Sequence, residues 1–117
     1  MTTPRIFERR GVFYMTYAGS SQPDRKDLPI GIGLARSLDL LNWEKYPLNP
    51  IFELGAPGTW DDGALWFGTV FEYSDHLFLL YEGIGLEDMR KPPPQLSRVG
   101  LARISCYEFD QHTDVWR

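Results

Sequence analysis

The chain has 117 residues, which leaves room for one domain or less. Its 43% hydrophobic and 24% charged residues match a soluble globular protein. A net charge of −4 speaks against nucleic acid, whose readers carry a basic face, and no apolar run approaches the ~18 residues of a membrane span.

Strand-like segments follow one another from the start. Residues 5–9, 12–18, 30–36 and 43–46 form one set, and 68–73, 77–82, 99–104 and 115–117 a second. Each is short, rich in β-branched or aromatic residues, and bounded by Gly, Pro, Asp, Asn or Ser. Arg10-Gly11 and Asp75-His76 separate consecutive strands by hairpin-length gaps. Pro47, Pro50 and Pro57 with Gly55 and Gly58 mark a connection between the sets. Residues 22–29 and 86–98 read as long loops, and no segment carries a helical stripe.

The two sets are copies. Ile6 to Gly19 (IFERRGVFYMTYAG) aligns without a gap with Val70 to Gly83 (VFEYSDHLFLLYEG), with Phe7/Phe71, Glu8/Glu72, Tyr17/Tyr81 and Gly19/Gly83 identical. The match resumes as GLAR, Gly33–Arg36 against Gly100–Arg103. Repetition of a four-stranded unit is the sequence pattern of β-propeller blades. The expected fold is all-β within a single domain, 1–117: a blade at 3–47, a linker at 48–63 and a blade at 64–117. Two such units expose edges and apolar faces, so we expect a homo-oligomer that completes or covers a partial propeller. Two chains would supply four blades and three would supply six.

The succession PRI, FYMTYAG, IGLARS and NWEK, then NPIFE, GTWDDGALWFGTV and LLYEG, resembles five-bladed β-propeller glycosidases, most closely the related mannoside phosphorylases. The resemblance covers nearly the whole chain. It implies carboxylate chemistry, in which one acid protonates the leaving oxygen and a second carboxylate, or phosphate, attacks. It also implies an Asp just before the Pro that opens a blade's innermost strand. The matching positions here are Thr3, before Pro4-Arg5, and Phe67, before Gly68-Thr69-Val70. The repeat pairs Thr3 with Phe67 independently, and neither side chain can donate a proton near neutral pH.

The expectation is therefore a catalytically degenerate member that binds a small polar, carbohydrate-like ligand. Candidate contacts are Trp60, Asp61, Asp62, Trp66, Arg5, Arg36 and Glu82. Asp61 and Asp62 can serve a ligand or cap a turn with their carboxylates. Arg5 and Arg36 can grip phosphate or tie strands together. Glu82 stands where the first copy has Ala18, and with Asp61 and Asp62 it supplies the remaining candidate acids. Two further readings stay open: an active hydrolase or phosphorylase with a site shared between chains, and an interaction module without a small ligand. Glu8 and Glu72 read as packing or salt-bridging residues. His76 and His112 lack ligand partners at metal spacing, so neither a metal nor a cofactor is expected. Gly31 and Gly33 lie in an apolar strand and form no phosphate loop. Cys106 reads as a small residue in or beside a strand. A lone cysteine excludes an internal disulfide, and MTTPRIFERRG lacks a secretory core, so a cytoplasmic setting is expected.

Overall fold

In the computed structural model, which describes residues 2–19, 30–92 and 97–114, the alternating runs form two antiparallel sheets, neither closed on itself. The first orders β1 (Thr2–Arg9), β2 (Val12–Gly19), β3 (Gly31–Ser37) and β4 (Glu44–Lys45), with β5 (Phe52–Glu53) also paired to β3. The second orders β6 (Ala64–Tyr73), β7 (His76–Ile84) and β8 (Arg98–Ser105). Two helices accompany them, the short α1 (Leu86–Met89) and α2 (Cys106–Asp114).

Both helices depart from the sequence reading, as does β5 within the linker. Residue 106 onward was expected to loop toward a last strand at 115–117, which lies outside the described residues. Instead Ser105 caps a helix, its hydroxyl accepting the Glu108 N–H at 3.1 Å. Ser105-Cys106-Tyr107-Glu108 is the S-x-x-E pattern of a capping box. Phe109 anchors the helix between the sheets. Among the described residues the second sheet thus has three strands, not four. The half-buried Cys106 opens α2 directly after β8 and is a free thiol.

The repeat holds at the level of register. Ile6 pairs with Met15 as Val70 pairs with Leu79, and Met15 pairs with Ala35 as Leu79 pairs with Ala102. Both first hairpins turn through two residues of positive φ, Arg10-Gly11 (53° and 78°) and Ser74-Asp75 (50° and 63°). The second turn lies one residue earlier than expected, at the position that corresponds to the first.

Both copies also share a bulge. Thr3 and Pro4 stand opposite Tyr17, and Phe67 and Gly68 stand opposite Tyr81. In each copy that tyrosine lies across a glycine of the next strand, Gly33 or Gly100, so closely that a Cβ there would overlap the ring.

Strand alternation gives each sheet two faces. One carries Phe7, Tyr14, Thr16, Ile32 and Leu34 in the first sheet, and Phe71, Phe78, Leu80, Val99 and Leu101 in the second. The other carries Ile6, Phe13, Met15 and Tyr17, and correspondingly Val70, Leu77, Leu79 and Tyr81. The core forms where the Phe7 face of the first sheet meets the Tyr81 face of the second. Tyr14, Leu34, Leu77 and Phe109 form one cluster, and Ile32, Leu65, Leu79 and Tyr81 another. The fully buried Thr16 donates its hydroxyl to the Gly68 carbonyl of the bulge, which satisfies a polar group within this apolar contact.

The edge of the seam is ionic. Arg9 holds Asp110 of α2 through two parallel bonds of 3.0 Å and reaches Glu72 at 2.7 Å. Bidentate geometry makes the first pair the stronger one. Hydrogen bonding from Arg9 keeps the Asp110 carboxyl below the ordinary carboxylate range.

Two outcomes test this account. Gly33→Ala and Gly100→Ala should each cost about 1–3 kcal/mol in denaturant unfolding, because the added Cβ overlaps a tyrosine ring that is buried in both copies. Equal effects at both positions would mark the pair as a repeated device. The depressed pKa of Asp110 contributes stability above the ordinary aspartate value of about 4, lost as pH falls through the folded-state value. Asp110→Asn should flatten that acid limb in melts recorded against pH.

Candidate functional site

The loop between the sheets is organised by two tyrosine hydroxyls. Tyr17 accepts a hydrogen bond from the Asn49 side-chain amide at 2.9 Å, and that amide also donates to the Leu34 carbonyl at 3.0 Å. Tyr81 donates to Asp61 Oδ2 at 2.9 Å. Trp60 stacks on the Tyr81 ring with centroids 5.8 Å apart, and Phe52 packs against it at 4.7 Å. Residues 52–61 thereby cross the Tyr81 face.

Asp61 is buried, with Oδ1 accepting the Thr59 hydroxyl at 3.2 Å. Both Asp62 oxygens accept backbone N–H groups, Gly58 at 2.9 Å and Leu86 at 2.7 Å. The bond from Leu86 leads the causes that hold its carboxyl below the usual range. Asp62 therefore ties the linker to the segment that opens α1. Asp62 is thus the turn-forming acceptor of backbone N–H groups that its residue type allows, whereas Asp61 is held by the Thr59 and Tyr81 hydroxyls. Burial, then the bond to Asp61, pushes the Tyr81 hydroxyl up to about 12.

Trp66 and Glu82 lie elsewhere. They are direct cross-strand partners on the Phe71 face, opposite to the face that carries Trp60 and Asp61, and both are half-buried. Arg36 is engaged with Glu44 on β4 at 2.9 Å, the strand-tying role. Glu72 accepts the Arg9 ion pair and so plays the salt-bridging part, while Glu8 is exposed. Among the described residues no cluster of His, Cys, Asp and Glu could hold a metal ion.

The two positions matched to the missing acids meet. Thr3 and Phe67 both have left-handed backbone, φ 48° and 57°, each on the bulge of its own sheet. The Phe67 N–H donates to the Thr3 hydroxyl oxygen at 3.3 Å, joining residues 64 apart in sequence. The Arg5 guanidinium lies 5.2 Å from the centre of the Phe67 ring, which is 41% exposed. Left-handed backbone is costly for residues other than Gly, Asn and Asp, and such strain and bulges concentrate at functional sites. This junction therefore stands out from the rest of the sheets. The sequence pairs Thr3 with Phe67 through the repeat, but their contact follows only from the packing of one sheet on the other.

A cleft of about 530 Å³ opens between the sheets, with Phe7, Leu34, Leu77, Leu79, Ile104 and Phe109 among its walls. None of the candidate contacts lines it. A scan against protein-family models finds no match, and no curated protein matches the sequence significantly.

Tyr81→Phe leaves the buried Asp61 short of one donor and should cost about 1–3 kcal/mol in denaturant unfolding. The raised Tyr81 pKa has the opposite sign to Asp110. Its contribution is complete below the ordinary tyrosine value of about 10, and is lost as pH rises toward the folded value of about 12. The variant should therefore lose part of the alkaline dependence of stability; an unchanged alkaline limb would count against the Tyr81–Asp61 bond.

Proposed function

We propose that the chain is a glycosidase-like propeller segment without the usual acids, which binds a small polar, carbohydrate-like ligand at the junction of the two bulges. The observation that carries this reading is the meeting of Thr3 and Phe67. Each occupies the slot that the resemblance assigns to an aspartate, each keeps a strained backbone, and the two are joined by a hydrogen bond. The bulge is present in both copies while the proton donors are absent from both slots.

The side chains there suit binding. A Phe ring exposed on a sheet offers a platform for the apolar face of a sugar ring. Arg5 donates from one terminal nitrogen to the Pro4 carbonyl at 2.9 Å and keeps further N–H donors for hydroxyl, carboxylate or phosphate oxygens. The Thr3 hydroxyl, which accepts from Phe67, has its own proton to donate. The fold already engages Asp61 and Asp62. Acid chemistry of the family kind would then fall to Glu82, whereas glycoside hydrolysis ordinarily needs two carboxylates about 5–10 Å apart. Binding without turnover is the reading these residues support.

The test is calorimetric titration with mono- and disaccharides, mannosides first, with and without inorganic phosphate. Phe67→Ala and Arg5→Ala should each weaken binding about tenfold, equivalent to ~1.4 kcal/mol, while Asp62→Asn should leave affinity unchanged. Turnover of an aryl mannoside by the unaltered chain would overturn the proposal, as would no saccharide binding or full affinity in both variants.

A further inference from the structure

The seam inside the chain joins two unlike faces and, among the described residues, leaves the complementary two without a sheet packed on them, although the linker covers Tyr17 through Asn49. The Phe7 face of the first sheet packs on the Tyr81 face of the second. What remains is the Phe71 face of the second sheet and the Tyr17 face of the first.

The repeat makes this unused pair the counterpart of the used one. Phe71 stacks on Phe78 with centroids 5.3 Å apart, as Phe7 stacks on Tyr14 at 5.2 Å. Tyr14 lies under Leu77 and Phe109 and is 6% exposed, whereas Phe71 is 44% exposed. Around it, Leu80, Leu101 and Val99 are 41%, 57% and 68% exposed. Leu80 stands where the first sheet has Thr16 and Glu82 where it has Ala18, so this face is apolar around the Phe71–Phe78 stack and carries one carboxylate toward the end of β7. An apolar patch of this kind marks an interaction surface. On the Tyr17 face, Ile6, Phe13 and Met15 occupy the positions of Val70, Leu77 and Leu79, the residues that fill the internal seam. Ile6 is 56% exposed, and Phe13 and Met15 are half-buried.

We propose that the Phe71 face of one chain docks on the Tyr17 face of a second copy, which repeats the internal seam between chains. Phe13 then covers the Phe71–Phe78 stack as Leu77 covers Phe7–Tyr14. The polar edge is compatible as well. Where the internal seam sets Arg9 against Glu72, the repeat positions are Tyr73 and Glu8, both exposed, and a phenol can donate to a carboxylate. Because the two faces differ, the contact is head-to-tail, and it ends only when a ring closes. Two or three copies give four or six units, both within the range of closed propellers. The inference rests on the repeated seam and not on the ligand, so sedimentation and saccharide titration can fail independently.

Sedimentation velocity of the full chain should show a discrete species of two or three 13.5 kDa chains. Ile6→Lys and Leu101→Lys, at positions more than half exposed, should each give folded monomers by circular dichroism and sedimentation. Mixed in equal amounts, the two variants should form a dimer through the one seam left intact, and nothing larger. A monomeric unaltered chain at all concentrations would overturn the proposal. So would Ile6→Lys that assembles like the unaltered chain, because a symmetric contact between two Phe71 faces does not use Ile6. Should either variant unfold, hydrogen exchange on the unaltered chain decides. Protection must rise with concentration in β1–β2 and β7–β8 together, and a rise in β7–β8 alone refutes the head-to-tail contact.

Discussion

The contact between the Phe7 face of the first sheet and the Tyr81 face of the second is what the rest of the molecule depends on. An antiparallel sheet of this length has no interior of its own and becomes stable by burying a face. Here one contact buries Tyr14, Ile32, Leu34, Leu77 and Leu79 together. The same approach brings Thr16 within reach of the Gly68 carbonyl. A side chain at position 68 would press on Ile32 and Leu79, so the bulge glycine sets how closely the sheets can come. The closeness in turn brings the two bulges side by side. Core, seam and candidate site are consequences of one packing event.

That dependence explains how two strained positions survive in ordinary strands. Thr3 and Phe67 incur a cost of order 1–3 kcal/mol each for their backbone, which only a well-determined surrounding structure can sustain. The surroundings here are the tyrosine opposite each bulge, the glycine beneath each tyrosine, and the linker held to each hydroxyl. Tyr17 and Tyr81 thus do corresponding work with different partners. Asn49 serves one and Asp61 the other, because the linker leaves the first sheet and enters the second by different routes.

Much of this architecture was legible in the sequence, and its limits have physical causes. The strand pairs, the first hairpin and the repeat were readable because they rest on local alternation and on identical side chains at fixed spacing. Residue type points to Asp75-His76 for the second turn, one residue late, whereas the repeat position of Arg10-Gly11 is Ser74-Asp75, where the turn lies. Helix α2 was missed because Tyr107 to Asp114 carries one strong apolar anchor, Phe109, and no stripe. The Ser105–Glu108 capping pair was the available signal. A turn role for Asp61 and Asp62 is readable from the local sequence and fits their bonds from Thr59 and Gly58, but the bonds from Tyr81 and Leu86, some twenty residues away, are not. Grouping Trp60 with Trp66 overlooks that Trp60 lies in the turn before β6 and folds back onto Tyr81, whereas Trp66 lies within β6 beside Glu82 on the other face.

The asymmetry between the two copies carries the functional argument furthest. Several positions on the sheet faces keep their chemistry, Phe7 and Phe71, Tyr17 and Tyr81, Leu34 and Leu101, Gly33 and Gly100, whereas Thr16 gives way to Leu80 and Arg9 to Tyr73. Positions at the bulge differ completely, Thr3 against Phe67 and Pro4 against Gly68, yet the left-handed backbone persists in both. Strain retained by unrelated side chains belongs to the geometry of the sheet and not to any one residue's chemistry. The bulge is therefore a scaffold feature on which different groups can be mounted. A hydroxyl, an aromatic ring and a guanidinium are mounted there in this chain, a set suited to holding a polar molecule and poorly suited to transferring protons to it.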